Sequence, residues 1–165
     1  MFNLEKYIKI LVYKKKYKMN KIFLLNLKIK TFTEQNTLDY CLLNNINPNS
    51  IIELYLYNNE LTDILGIKIF KNLKQLNIGY NKITDISVLN NLKSLKILHI
   101  GDNKIEDISV IQYLIELNSL NINYLKLKSD QIQYIKLLNN LKELYSEKGF
   151  KDMSVLKQLN KDINI

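Results

Sequence analysis

The same 22-residue unit occurs twice in succession between Asn72 and Ile115. The first copy reads NLKQLNIGYNKITDISVLNNLK and the second SLKILHIGDNKIEDISVIQYLI. Leu73/Leu95, Leu76/Leu98, Ile78/Ile100, Asn81/Asn103, Ile83/Ile105, Asp85/Asp107 and Ile86/Ile108 coincide. A fixed period of this size constrains the chain to a solenoid, in which each unit buries its apolar side chains only against its neighbours.

The period extends in both directions. Residues 50–71 repeat the pattern through Ile51, Leu54, Leu56, Asn59, Leu61, Asp63 and Ile64, with Leu65-Gly66 where the other units have Ser-Val. Residues 116–139 keep Leu117, Leu120, Ile122 and Leu127 but carry Leu125 at the Asn position, and two extra residues predict a helix over 130–138. Residues 140–165 form a decaying last unit: Leu141 and Leu144 hold a strand, Gly149 stands for the Asn, and Val155, Leu156 and Leu159 form a closing turn. Residues 20–49 read as a degenerate opening unit, with Ile22, Leu25, Leu27 and Phe32 as its apolar positions and Lys30 at the Asn position. A short helix is expected over 33–45, with Leu38, Leu42 and Leu43 turned inward and Pro48 ending it. The domain reading is therefore residues 1–19 as a basic amphipathic cap or arm and 20–165 as the repeat domain, with units at 20–49, 50–71, 72–93, 94–115, 116–139 and 140–165.

The spacing L-x-x-L-x-I-x-x-N-x-I resembles the leucine-rich repeats. The Ile-Thr-Asp-Ile-Ser and Ile-Glu-Asp-Ile-Ser continuations are similar to the short 22-residue subclass, SDS22-like and internalin-like. The resemblance implies an α/β solenoid with a parallel sheet on the concave side and short helices or helical turns on the convex side. Ser87 and Ser109 are expected as N-caps of those turns. Asn59, Asn81 and Asn103 are expected to form a buried ladder of amides that satisfies loop backbone groups.

The resemblance also assigns the solvent-facing strand positions. They are Glu53, Tyr55, Tyr57 and Asn58; Gln75, Asn77, Gly79 and Tyr80; Ile97, His99, Gly101 and Asp102; Ser119, Asn121, Asn123 and Tyr124; and Glu143 with Tyr145. Tyrosine offers a rigid apolar ring with a polar tip and is enriched in binding hot spots. The implied protein-binding set is Tyr55, Tyr57, Asn58, Asn77, Tyr80, His99, Asp102, Asn121 and Tyr124. The competing explanation is compositional, since the chain has 11 tyrosines, lacks Ala, Arg and Trp, and has the bias of an AT-rich coding sequence.

Charge narrows the partner. The net charge is +8, and residues 1–30 hold nine lysines and one acid, so the excess sits in the N-terminal arm. Leu4, Ile8, Leu11 and Val12 recur there at helical spacing. Residues 1–18 read as a cap over the open end of the solenoid, as an arm for an anionic membrane or nucleic acid through Lys14, Lys15, Lys16 and Lys18, or as a disordered tail. The concave positions carry almost no lysine, which makes them a poor phosphate-binding surface. Lys82, Lys104 and Lys126 recur at the rim and read as solvated.

No catalytic set emerges. His99 and Cys41 are single and fall in different units, Asp85 and Asp107 repeat with the solenoid, and no metal-ligand cluster or phosphate-binding glycine loop is present. A non-catalytic interaction module of adaptor or regulatory type is expected, without cofactor or metal. Cys41 reads as a buried free thiol in a reducing compartment. No apolar run nears the roughly 18–20 residues of a membrane span and no signal peptide is evident, so a cytoplasmic chain is expected.

Overall fold

The computed structural model describes residues 20–159 and 163–165. The basic arm read over residues 1–19 lies outside these. Six three-residue strands form one parallel sheet in sequence order: β1 (Lys21–Phe23), β2 (Glu53–Tyr55), β3 (Gln75–Asn77), β4 (Ile97–His99), β5 (Ser119–Asn121) and β6 (Glu143–Tyr145). The register places Ile22, Leu54, Leu76, Leu98, Leu120 and Leu144 side by side. All six are buried, because alternation along a strand sends the middle residue inward and its two neighbours outward. The next inward column is Leu24, Leu56, Ile78, Ile100 and Ile122, also buried.

A second wall returns behind the sheet. Segments Leu65–Ile69, Ser87–Asn91 and Ser109–Tyr113 are 3-10 turns that bury Ile67, Val88, Leu89, Val110 and Ile111. A 22-residue unit leaves five residues for this return, and the 3-10 form advances about 2.0 Å per residue against about 1.5 Å for an α-helix. Helices appear where units are longer. The 32 positions from Lys21 to Glu53 accommodate α1 (Glu34–Leu43), and the 24 from Ser119 to Glu143 accommodate α2 (Ile132–Ile135), preceded by a 3-10 turn at Ser129–Gln131. The helix expected over 130–138 is thus cut to a four-residue α2.

The return turns are capped differently from the sequence expectation. Ser87 and Ser109 do not cap them; each is the first residue of its turn. Asp63, Asp85 and Asp107 accept the N–H two residues on, from Leu65, Ser87 and Ser109, at 2.7–2.8 Å. A carboxylate reaches this N–H directly and favours the positive end of the turn.

The opening unit also needs correction. The N–H of Leu24 donates to Tyr55 O at 2.8 Å, which fixes Ile22 opposite Leu54 rather than Ile51. Leu24 therefore faces the core and Leu25 faces out, and Leu27, not Lys30, stands at the Asn position. Helix α1 begins after Thr33, whose hydroxyl accepts the N–H of Asn36 at 3.2 Å, and it ends at Leu43, well before Pro48, which opens a separate 3-10 turn. Thr37, Tyr40 and Cys41 face inward, whereas Leu42 and Leu43 are 74% and 60% exposed and Leu38 is half-buried. The inward side differs from the expected one because α1 lies against the Leu65–Ile69 turn, where a small face is required. A methyl group at Gly66 would overlap Thr37 Oγ1 and the carbonyl oxygens of Thr33 and Phe32. This contact requires glycine at position 66, where the next two units carry Val88 and Val110. Burial pushes the Cys41 thiol up to about 11 and raises the Tyr40 phenol, so both stay neutral at physiological pH.

Three asparagines tie successive turns together. Asn59 Oδ1 accepts from the N–H groups of Leu27 and Ile29, and its amide donates to the carbonyls of Leu24 and Leu56. Asn81 Oδ1 accepts from Leu61 N at 3.0 Å and its amide donates to Leu56, Ile78 and Gly79. Asn103 repeats the arrangement with Ile83, Ile78 and Ile100. Asn59 and Asn81 are buried, but Asn103 is half-buried, since the next turn turns Leu125 into the core and brings no amide over it.

Two variants test this framework. Asn81→Ala leaves the buried Leu61 N–H without its partner and takes one of two amide donors from the Leu56 carbonyl, and we expect a loss of about 1–3 kcal/mol in urea unfolding, with unchanged stability ruling the ladder out. Gly66→Ala is expected to cost about 1–3 kcal/mol by overpacking against α1, measured the same way.

Candidate functional site

The outward residues of the strands and the residues just after them form one continuous face. Along the strand ends the register sets Phe23, Tyr55, Asn77, His99, Asn121 and Tyr145 in a row. The Phe23 and Tyr55 rings stack at 4.5 Å with planes 4° apart. The Tyr55 hydroxyl donates to Glu53 at 2.9 Å, and Glu53 pairs with Lys21 at 2.9 Å. Burial, then this hydrogen bond, pushes Tyr55 up to about 12.

A second row follows one turn beyond: Asn26, Asn58, Tyr80, Asp102, Tyr124 and Lys148. Every member has positive φ, between 49° and 61°. The chain bends here in each unit to leave the strand, and the left-handed conformation makes that bend. Asn and Asp tolerate it; a bulky residue pays roughly 1–2 kcal/mol. Tyr80 and Tyr124 thus occupy strained positions, where strain is a pointer to function.

The tyrosines of this row are engaged with carboxylates. Asp102 beside Tyr80 raises its pKa, chiefly by charge. A hydrogen bond to Glu147 is the main cause that pushes Tyr124 up to about 12. Tyr57 packs against Tyr80 with centroids 4.9 Å apart, and Lys148 Nζ lies 5.6 Å from the centre of the Tyr124 ring. His99 is half-buried, and burial lowers its pKa, so it is neutral at pH 7.

The structure brings Tyr55, Tyr57, Asn58, Asn77, Tyr80, His99, Asp102, Asn121 and Tyr124 onto this one face, each exposed or half-buried. Some of their groups are already committed. Asn77 and Asn121 accept the N–H of Gly79 and Asn123 through Oδ1, and Asn58 donates to Asn26 at 2.6 Å. Three positions expected to face solvent do not. Gly79 lies beneath the Tyr57 ring, with Cδ2 3.6 Å from where its Cβ would be; Gly101 is covered by Asn121 and Asn123; Ser119 is a small side chain shaded between Ile97 and Glu143.

Glu147, Lys148 and Phe23 join the face without having been singled out from sequence. Glu147 continues the column Tyr57, Gly79, Gly101, Asn123 and Lys148 continues the left-handed row, both at the 24-residue spacing of the last unit. Carrying that spacing past Tyr145 would have found them. At the rim, Lys82 pairs with Glu60 at 3.4 Å. Among the described residues no group of three or more His, Cys, Asp or Glu is placed to hold a metal, and no helix is long and apolar enough to cross a membrane.

Comparison with known proteins agrees with this geometry. The model for leucine-rich repeats in two copies matches residues 49–91 and 71–113. An internalin, InlF, from Listeria monocytogenes is 33% identical, with a TM-score of 0.61 over 70% of this chain and 34% of that chain. The chain therefore spans about a third of that internalin's length. Internalin C2 of the same organism superposes with a TM-score of 0.58 at 22% identity, covering 88% of this chain and 79% of that one. The leucine-rich-repeat domain of APL1B gives 0.63 at 16% identity, covering 89% and 43%. These last two share the fold. A search of curated proteins found no match. The chain is a leucine-rich-repeat protein, and its repeats are similar to those of the internalin InlF.

Proposed function

We propose that this protein is a non-catalytic interaction module that binds a protein partner through the outer face of its sheet. Leucine-rich-repeat proteins commonly mediate protein–protein interaction. The observation that carries the reading here is the pair Tyr80 and Tyr124, held at positive φ although Asn or Asp would fit there without strain. A position that pays conformational energy for a large amphipathic ring is better explained by recognition than by folding. Around the pair, Tyr55, Tyr57 and Tyr145 extend an aromatic surface of the kind that dominates binding energy. The finer role, adaptor or regulatory subunit in the cytoplasm, belongs to the same proposal. The alternative of electrostatic binding through Lys14, Lys15, Lys16 and Lys18 falls on residues outside the described part, and no observation on the described residues favours it.

Two measurements test the reading. In affinity capture, wild type is set beside a Tyr55→Ala/Tyr80→Ala/Tyr124→Ala variant whose fold is checked by circular dichroism. A partner held by wild type should be lost by the folded variant, and equal capture by both would sink the proposal. Separately, Tyr80→Asn and Tyr124→Asn should hold or raise thermal stability, by up to about 1 kcal/mol each, because relief of the left-handed strain offsets the lost ring contacts. A clear fall in stability would make these rings structural.

A further inference from the structure

We propose that the partner presents lysine or arginine side chains, as a basic segment, to the ridge formed by Tyr80, Asp102, Tyr124 and Glu147. This rests on the sheet face being the binding surface and adds the chemistry of what it binds.

The first support is the sign of the charge. The chain carries +8. Yet the carboxylates on the face are Glu53, Asp102, Glu143 and Glu147, against two lysines, Lys21 and Lys148. A face on which carboxylates outnumber lysines attracts cations locally, although the net charge of the chain is positive.

The second support is how the face treats the cations it already has. Lys21 sits on the Glu53 carboxylate, and Lys148 sits over the Tyr124 ring. These are the two ways in which a protein binds a lysine or arginine from outside: an ion pair and a cation–π contact. Both lysines lie in the strand units at the ends of the sheet. In the centre, Asp102 lies between Tyr80 and Tyr124, and among the described residues no salt bridge engages it or Glu147.

The third support is orientation. Tyrosine hydroxyls donate to Glu53 at 2.9 Å and to Glu143 at 3.5 Å, so these carboxylates are held in place with lone pairs left for a further donor. The aromatic rings beside them supply the apolar bed on which a lysine stem or guanidinium plane packs. A phosphate or carboxylate ligand would meet like charge at each of these points.

The test uses the full chain and fluorescein-labelled octalysine, with octaglutamate as control, followed by anisotropy at low and physiological salt. Octalysine should bind and octaglutamate should not. Asp102→Asn/Glu147→Gln should weaken octalysine by about tenfold or more, or about 1.4 kcal/mol. The variant Glu106→Gln/Asp130→Asn changes net charge by the same amount on exposed residues away from the ridge and should leave binding unchanged. Octalysine that fails to bind, or that binds equally to both double variants, would overturn the proposal. If a captured partner is lost with the three tyrosines but retained by Asp102→Asn/Glu147→Gln, the basic-partner inference falls while the sheet-face reading stands. Self-association abolished by Asp102→Asn/Glu147→Gln would assign the ridge to a second copy of this chain and overturn a separate partner.

Discussion

Each turn of this chain must leave its strand through a tight loop whose backbone groups point into the stack, where water cannot reach them. The amides of Asn59, Asn81 and Asn103 meet that need by accepting from the preceding turn and donating to both turns at once. An amide is suited to this because it carries acceptor and donor on one short, planar group. The hydrogen-bond reach of about 3 Å then locks the repeat spacing, since a turn displaced along the axis would break several bonds together. The parallel register, the inward leucine column and the short return turns all follow from that lock. Where a unit gains residues, as before β2 and before β6, the extra length is absorbed on the return side as helix and the strand register is untouched.

What could be read from the sequence follows the same logic. Columns fixed by the period, such as Leu54, Leu76, Leu98 and Leu120, were legible because each unit confirms the others. The opening unit was not, since no equal-length neighbour sets its register, and Leu27 at the Asn position hides the one marker that would. The inward side of α1 was also illegible. Leu42 and Leu43 look like core residues by type, but the close approach of Gly66 to Thr37 decides the orientation, and that contact spans two units. On the face, the tyrosine positions were visible as columns. The burial of Gly79, Gly101 and Ser119 depends on which neighbours lean over them, and the role of Glu147 depends on a hydroxyl from another unit.

The same lattice serves two kinds of chemistry. Toward the core, the amides and aliphatic side chains leave almost no polar group free. Toward solvent, phenols and carboxylates are paired in a way that keeps both in fixed positions without neutralising the acid. A phenol donating to a carboxylate lowers the freedom of both partners and leaves the charge where it was. This gives a face that is preorganised and still acidic, a combination that lowers the ordering cost of binding.

The row of left-handed residues has an evolutionary consequence. At Asn26, Asn58, Tyr80, Asp102, Tyr124 and Lys148 the backbone bend is imposed by the strand before it and the ladder after it, and the side chain takes no part in making it. Exchanging one residue for another there alters the outward chemistry while the polypeptide path stays put. The fold thereby keeps six addressable sites that mutation can rewrite one at a time, each at a cost of about 1–2 kcal/mol when a bulky side chain is chosen. A protein built this way can change its partner faster than it can change its shape.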